Sequence, residues 1–335
     1  MPLKTLVCSS GEVTAVAPAE EARKYLQMSG TLVWMDFEGV LSGTDKELLQ
    51  SSFGFHDLSL EDAARPADGA VRRQRPKVEE YDDYFFLVMQ ALSAERAGST
   101  LVLEPEELDV FVGGNYVVSV HRRPVPELSL VWEEAVKRPR LMACGSDRLA
   151  YHILDAVVDH YIDIVDDIEE LLDDLEDAVI DPRAGNQAVR DIFAFKRQLI
   201  GFRKAASPLR EAVTEMTSRE YPHVSEATQP YLRDVYDHLV RLSDMLDTYR
   251  DILAGALDVH LSAVSNNMNM VMKRLTVVAT IFLPLGFITG FWGMNFTDFM
   301  PLESAFWWWG SLAVMFFLTA GMMLYLSLSV VRRGR

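Results

Sequence analysis

Between Arg274 and Asp298 the chain reads LTVVATIFLPLGFITGFWGMNFT (275–297), a run of 23 residues without a charged side chain. At a rise of about 1.5 Å per residue, about 20 such residues cross the hydrocarbon layer of a bilayer, which is about 30 Å thick. A second run, residues 304–331, holds 28 uncharged residues and opens near FWWW (306–309), which is typical of a membrane interface. Two such runs in series argue against buried helices of a soluble protein, so we predict two transmembrane helices.

The charges that flank the two runs predict their orientation. Lys273 and Arg274 precede the first run, and Arg332, Arg333 and Arg335 follow the second. The loop between the runs contains acidic residues but no Lys or Arg, and basic flanks remain in the cytoplasm. The N-terminal segment has only short apolar stretches, so no signal peptide is expected. We therefore expect a multi-pass protein of the cytoplasmic (inner) membrane with both termini in the cytoplasm.

The charge of the chain is unevenly distributed. The formal net charge is −17, and almost all acidic residues precede Asp258. An acidic body without a run of five basic residues repels nucleic acid and favours cations as partners. Cys8 and Cys144 form no CxxC pair, so neither a disulfide nor a zinc site is expected. Phosphate-loop, HExxH and GxSxG motifs are missing from the sequence, so we expect neither an enzyme nor a nucleotide or organic cofactor.

The first part of the chain, residues 1–145, alternates short β-rich runs with helical ones, which predicts an α/β domain. A tight hairpin is expected across Gly113-Gly114. From Ser146 to about Arg219 the pattern is helical, and Asp181-Pro182 separates two antiparallel helices. The candidate strands are 31–36, 84–92, 99–104, 107–112 and 115–121.

The first of these two helices is acidic, because residues 155–181 contain no Lys or Arg. Such a run is usually a solvated helix face. The alternative is a surface that concentrates cations near an ion path. The sequence leaves both interpretations open.

A single long helix is expected from Tyr231 to Trp292, where the only proline is Pro284 and glycine is absent until Gly255. About 60 residues would span about 90 Å and continue into the first membrane run. Apolar residues in its first half have heptad spacing, which indicates packing against other helices. Packing within the chain would explain this spacing, but association of several copies around an axis is favoured, because one chain offers few partners for so long a helix. The heptad residues are Val235, Leu239, Leu242, Leu246, Tyr249, Leu253 and Ala256.

Together these patterns divide the chain into six segments. In chain order they are a cytoplasmic α/β domain (1–145), an acidic antiparallel helix pair (146–225), a stalk helix (226–295) whose part from about 275 to 295 is the first transmembrane helix, an extracytoplasmic loop (296–305), a second transmembrane helix (306–331) and a basic tail (332–335).

At the outer end of the first run, Gly293-Met294-Asn295 resembles the GMN signature of the CorA family of magnesium and cobalt transporters. The resemblance extends over most of the chain, through RDVYDH (233–238), RDILAGALDV (250–259), LSAVSN (261–266), VVATIFLPLGFITGFWGMNF (277–296), LSLED (58–62) and QRPKVEEYDDYFF (74–86). It implies a homopentameric funnel in which the stalk helix becomes the pore-lining first span and the second span lies outside it. It also implies Mg²⁺ as both the transported and the regulatory ion, with Co²⁺ and Ni²⁺ as further substrates.

The resemblance implies a role for each matching residue of the first span. Gly293, Met294 and Asn295 would form the selectivity filter, since neutral oxygen atoms can hydrogen-bond to the water that Mg²⁺ retains. A helix C-cap is the alternative role of Asn295. The pore would be lined by Phe291, Gly286, Leu283, Thr280 and Asn269, and Met272, Leu275 and Leu283 would form a hydrophobic gate that closes by dewetting.

Two acidic sites are also implied. Glu95 and Asp234 of neighbouring subunits would hold a regulatory Mg²⁺ that keeps the channel shut. In the outer loop, Asp298 and Glu303 would attract ions, although the loop departs from the usual MPEL of the family. Gly286 and Leu283 also depart from the family, whose members often have a hydroxyl and a methionine there.

These expectations describe a passive Mg²⁺ uptake channel, driven by the membrane potential and gated by cytosolic Mg²⁺. Its expected partners are further copies of the chain, divalent cations and the bilayer. Two alternatives remain: a Zn²⁺ transporter of the related ZntB branch, and a membrane scaffold or Mg²⁺ sensor that does not transport.

Overall fold

The computed structural model describes residues 3–15, 24–64, 74–98, 100–180, 185–218, 221–294 and 305–333. They form two compact units, Met1–Leu257 and Asp258–Arg335. The first unit is a β-sheet with helices on both faces, and the second is helical.

The described strands of the first unit form one seven-stranded sheet in the order β2-β1-β3-β7-β6-β5-β4. Neighbouring strands are antiparallel except β3 and β7, which are parallel. Every residue of β7 and all but the last of β3 are buried, because both faces at the sheet centre are covered. The strands are β1 (Leu3–Ser9), β2 (Glu12–Ala15), β3 (Thr31–Glu38), β4 (Lys77–Glu80), β5 (Tyr84–Ala97), β6 (Thr100–Gly113) and β7 (Tyr116–His121).

The predicted strands at 31–36, 84–92 and 115–121 are confirmed by β3, β5 and β7. The hairpin across Gly113-Gly114 is also confirmed, and a Cβ at Gly113 would overlap the Tyr116 ring. The division between 99–104 and 107–112 was wrong, because β6 continues through Pro105. Proline is tolerated there because β7 pairs with β6 only from Leu108 onward, so one side of β6 is a free edge at residue 105.

Helices cover the two sheet faces unequally. On one face lie α1 (Gly43–Phe53) and α2 (Asp57–Ala63), which bury Leu49 and Leu60 against the sheet. The backbone N–H of Asp45 donates to Ser42 Oγ and the backbone N–H of Ser42 donates to Asp45 Oδ2, a capping box that begins α1. On the other face lie α3 (Pro126–Lys137), α4 (Arg140–Ala143), α5 (Ser146–Ile180) and α6 (Gly185–Met216).

Helices α5 and α6 form the predicted antiparallel pair. Helix α5 ends at Ile180 and α6 begins at Gly185, on either side of the predicted break. The rings of Tyr161 and Phe202 lie 5.2 Å apart, and their positions are nearly symmetric about residue 181, as an antiparallel pair requires. Between Asp163 and Asp177 of α5, the charged residues are all exposed and the apolar residues are all buried.

Two long helices follow: α7 (Gln229–Trp292), with 64 residues, and α8 (Ala305–Arg333), with 29 residues. We had favoured association between several copies of the chain as the cause of the heptad spacing, and this prediction was wrong. All seven heptad residues, Val235, Leu239, Leu242, Leu246, Tyr249, Leu253 and Ala256, are buried within a single chain. They join the core formed by α5 and α6, and the hydroxyl of Tyr249 donates to Glu169 of α5 across 3.0 Å.

We predict that Phe202→Ala lowers the free energy of unfolding by about 3–5 kcal/mol, because it leaves a cavity between α5 and α6. Phe193→Ala is the matched control on the same helix, since 48% of Phe193 is exposed, and should cost about 0.5 kcal/mol or less. Denaturant unfolding of the purified full chain, followed by circular dichroism, measures both. Equal losses in the two variants would contradict the placement of α6.

Candidate functional site

From Leu275 onward α7 is apolar on all sides and has no covering layer. Residues 229–291 contain an 18-residue window with a mean hydropathy of 1.7, and none of that window is buried. Leu283 and Phe287 are 74% and 73% exposed, although an apolar helix of a soluble protein would bury such side chains. Among the helices that the structure describes, only α7 is both long enough and apolar enough to cross a membrane. Helix α8 contains a shorter apolar stretch at 309–325.

The residues predicted to line a pore share one side of α7. Eleven residues make about three turns, so positions eleven apart differ by only about 20° around the helix. The predicted residues fall into three such rows, each about 60° from the next. The rows are Asn269, Thr280 and Phe291; Met272, Leu283 and Met294; and Leu275 and Gly286. All eight are exposed in the single chain.

Polar groups on this part of α7 are satisfied along the helix itself. The hydroxyls of Thr276, Thr280 and Thr289 donate to backbone carbonyls four residues earlier, at 2.7–3.0 Å. Pro284 lies inside the helix and has no N–H, so the carbonyl oxygen of Thr280 loses its usual partner. One free acceptor is therefore expected in the middle of the row that contains Asn269 and Phe291.

Helix α7 ends at the predicted filter. The N–H of Gly293 donates to the carbonyl of Thr289 at 3.0 Å, and that of Met294 donates to the carbonyl of Phe291 at 3.3 Å. A Cβ at Gly293 would lie 3.3 Å from the Thr289 oxygen, which makes glycine the best fit for this tight last turn. Asn295, Asp298 and Glu303 lie outside the described residues, and their roles stay predictions.

The two predicted regulatory carboxylates are both exposed. Glu95 lies near the end of β5, opposite Val102, and Asp234 lies near the start of α7. Neither forms an ion pair with a described residue. Within the described part of one chain, His, Cys, Asp and Glu side chains form no group of three or more that could hold a metal ion.

Sequence reasoning missed that Asp234 lies near a second carboxylate, Asp155 of α5. Burial raises the pKa of Asp155, the hydrogen bond from the Tyr151 hydroxyl at 3.0 Å opposes the rise, and the charges of Asp159 and Asp234 add to it. The spacing of Tyr151 and Asp155 by four residues was the available signal for their contact. The proximity of Asp234 depends on how α7 packs against α5, which no local pattern encodes.

Comparison with known proteins identifies the family. The model of the CorA-like Mg²⁺ transporter protein family matches residues 29–333. The chain belongs to the CorA family. A Thermotoga maritima relative, named cobalt/magnesium transport protein CorA, is 35% identical over 306 residues, which cover 89% of this chain and 82% of the relative. A Methanocaldococcus jannaschii protein of the same name is 27% identical over 281 residues, which cover 82% of each chain.

The solved structures agree in fold. The complete structure of the CorA magnesium transporter from Methanocaldococcus jannaschii matches with a TM-score of 0.78 and 21% identity, over 97% of each chain. This likeness confirms the predicted α/β domain followed by a long helix. CorA proteins are integral membrane transporters rather than enzymes, so the family assignment also confirms that this chain is not an enzyme.

We predict that Asp155→Asn stabilises the chain at pH 7 in the absence of divalent ions. Because the folded-state pKa of Asp155 is raised, protonation of this group favours the folded state. Its stabilising contribution is complete below the ordinary Asp pKa of about 3.9 and is lost as the pH rises through the raised value. The advantage of the variant should therefore shrink as the pH falls toward about 4. Asp167→Asn, on the exposed face of α5, is the control. Thermal unfolding in a chelator measures both, and an advantage that is constant with pH would contradict the assignment.

Proposed function

We propose that the chain forms a homopentameric channel in the cytoplasmic (inner) membrane that takes up Mg²⁺, with Co²⁺ and Ni²⁺ as further substrates. The observation that carries this proposal is the uncovered apolar segment of α7, whose predicted lining residues share one side and end at Gly293-Met294. Family membership and the names of the relatives support a divalent cation as the cargo.

The exposed segment of α7 supports an assembly of several copies. A helix that lines a pore needs neighbours on both flanks, and one chain offers only α8 as a second apolar helix among its described residues. In a ring of five copies, α7 would face the axis on one side and α8 would face lipid. Both termini would then lie in the cytoplasm, as the basic flanks of the two helices favour.

The gate consists of three apolar layers on one side of α7. Met272, Leu275 and Leu283 are 55%, 61% and 74% exposed in a single chain, so their side chains are available to meet those of neighbouring copies. Five such side chains in one layer make a constriction that water leaves when it narrows. Ions cannot pass while the layers are dry.

The middle of the proposed pore has no hydroxyl side chain at position 286. Gly286 supplies no side-chain oxygen, and a Cβ there would meet nothing within 4 Å, so packing within the chain does not require glycine. The carbonyl oxygen of Thr280, which receives no hydrogen bond from Pro284, could replace the missing hydroxyl as an acceptor. It lies one to two helical turns from Gly286 toward the N-terminus of α7. Five of these oxygens could hydrogen-bond to the water shell of a passing ion.

At the outer mouth, Asn295 with the carbonyl groups of Gly293 and Met294 would select the hydrated ion. Mg²⁺ gives up water reluctantly, so a ring of neutral acceptors that binds its water suits it better than direct ligands. Asp298 and Glu303 would raise the local concentration of cations. Uptake needs no nucleotide, because a divalent ion gains about 4.6 kcal/mol at a membrane potential of about −100 mV.

Regulation is assigned to Glu95 and Asp234 of neighbouring copies. Like charges at a subunit boundary repel each other, and a bound Mg²⁺ removes the repulsion and holds the copies together. Asp155 adds further negative charge beside Asp234. Falling cytosolic Mg²⁺ would then loosen the boundary and let the gate widen.

The direct test is ion flux through the purified chain in liposomes with a negative interior potential. Mg²⁺ and Co²⁺ should enter, and Zn²⁺ should enter more slowly. Faster entry of Zn²⁺ than of Mg²⁺ would favour the zinc-transporter alternative. If none of the three ions enters, a scaffold or sensor is the better assignment.

We predict that Asn295→Ala reduces Mg²⁺ flux at least about tenfold, because the ring of amide oxygens that binds the hydrated ion is lost. Asn267→Ala is the matched control, since residue 267 is on the opposite side of α7 from Asn269. Both are measured with an indicator dye inside liposomes. Unchanged flux in the Asn295 variant would contradict the pore assignment.

We predict that Glu95→Ala combined with Asp234→Ala weakens inhibition by internal Mg²⁺, because the carboxylates that bind the closing ion are absent. Current recorded at millimolar internal Mg²⁺ should rise, while current without internal Mg²⁺ should not change. Asp167→Ala, another exposed carboxylate of the same unit, should leave inhibition intact. Normal Mg²⁺ inhibition in the double variant would remove Glu95 and Asp234 from the gating mechanism.

A further inference from the structure

An open cleft with a volume of about 650 Å³ lies between α6 and the sheet, and its lining includes neither of the predicted regulatory carboxylates. Its size is within the range of small-molecule sites. The sheet side is formed by Gln74, Gln90 and Pro105, and the helix side by Ile200, Gly201, Arg203, Lys204, Ser207 and Pro208. The charge of its described lining is opposite to that of the chain, because Arg75, Arg203 and Lys204 line it and none of the other described lining residues is Asp or Glu.

One hydrogen-bond donor in the wall of the cleft has no partner. The side-chain Nε2 of Gln74 is buried and makes no hydrogen bond with the described residues. The backbone of Gln74 is held on both sides, since its N–H donates to Glu107 Oε2 and its carbonyl accepts from Gln90 Nε2, each at 2.7 Å. A buried amide donor without a partner is unfavourable, and rotation of the Gln74 side chain into the cleft would let this donor bind an acceptor on a ligand.

The cationic side chains are available to such a ligand. Arg75 pairs with Glu211 and Arg203 with Asp247, but all four side chains are 43–67% exposed. Ion pairs this exposed contribute little to stability, so replacing the carboxylate with an anionic ligand has a small free-energy cost. Lys204 has no ion-pair partner in the part of the chain that the structure describes. Three cationic residues and one residue with an unpaired amide donor therefore line the same cleft.

The cleft also has an apolar wall. Ile200 is 45% exposed, and Pro105 and Pro208 lie beside it. Gly201 leaves free space in the lining of the cleft, since a Cβ there would meet nothing within 4 Å. A free inorganic ion would leave this wall in contact with water. An anionic group attached to an apolar ring or chain would cover it.

We propose that this cleft binds a small organic anion, with a phosphate or carboxylate group at Lys204, Arg203 and Gln74 and an apolar body against Ile200. No nucleophile or general base is required for this role, so the cleft is a binding site and not a catalytic one. The proposal does not depend on ion transport, because binding can be measured without flux.

Calorimetry on the purified full chain, in a chelator to remove divalent ions, tests the proposal with three probes. ADP carries phosphate and a ring, benzoate carries carboxylate and a ring, and inorganic pyrophosphate carries phosphate alone. We expect saturable binding of ADP or benzoate, which identifies the anionic group, and weaker binding of pyrophosphate. Lys204→Ala should weaken binding about tenfold or more, because a charge-assisted hydrogen bond is lost.

Gly201→Phe should abolish binding by filling the cleft, and Gly201→Ala, which leaves most of the space open, shows whether the helix tolerates a side chain there. Lys196→Ala removes an exposed cation of the same helix that does not line the cleft and should leave affinity unchanged. The proposal is overturned if neither ADP nor benzoate binds at millimolar concentration. It is also overturned if Lys204→Ala and Gly201→Phe bind like the unaltered chain, or if pyrophosphate binds as tightly as ADP.

Discussion

A helix that is apolar on every side is unstable in water, and residues 275–292 of α7 form such a helix. Every side chain there that the structure describes lacks a charge, and none belongs to a buried core. The segment therefore requires lipid or other apolar helices around it, and that requirement selects a membrane as its surroundings. The predicted filter at the helix end and the eleven-residue rows of predicted lining residues can act as a pore only in that setting.

Much of the fold could be predicted because local patterns encode it. Uncharged runs identify the apolar helices, Gly113-Gly114 identifies a hairpin, and Asp181-Pro182 separates α5 from α6. Strands β1, β2 and β4 were missed, and of these β2 and β4 have only four residues each. The turn between β1 and β2 is formed by Ser10 and Gly11, which both have positive φ, but a Ser-Gly pair is a weaker turn signal than Asn-Gly.

The heptad spacing of α7 shows where sequence reasoning stops. Periodicity establishes that one face of a helix is buried, but it does not say which partner buries it. In this chain the partners are α5 and α6, and Leu239 and Leu242 are as buried as any residue of the sheet core. The electrostatic effect of Asp234 on Asp155 has the same origin in tertiary packing. For Glu95, Asp234 and Asn295 the roles come from family resemblance, since no spacing within one sequence can pair groups of different copies.

The exposed acidic face of α5 affects the concentration of cations at the surface of the protein. No Lys or Arg lies between Asp155 and Asp181, and Arg96 of β5 pairs with only two of the carboxylates, Glu170 and Asp174. Divalent cations accumulate in such a field more strongly than monovalent ones, and dissolved salt weakens the field over about 8 Å at physiological ionic strength. If this unit lies in the cytoplasm, as proposed above, the acidic face would meet a local Mg²⁺ concentration higher than that of the bulk cytosol. A cell that loses water or gains potassium would change that local value even if its total Mg²⁺ stayed the same.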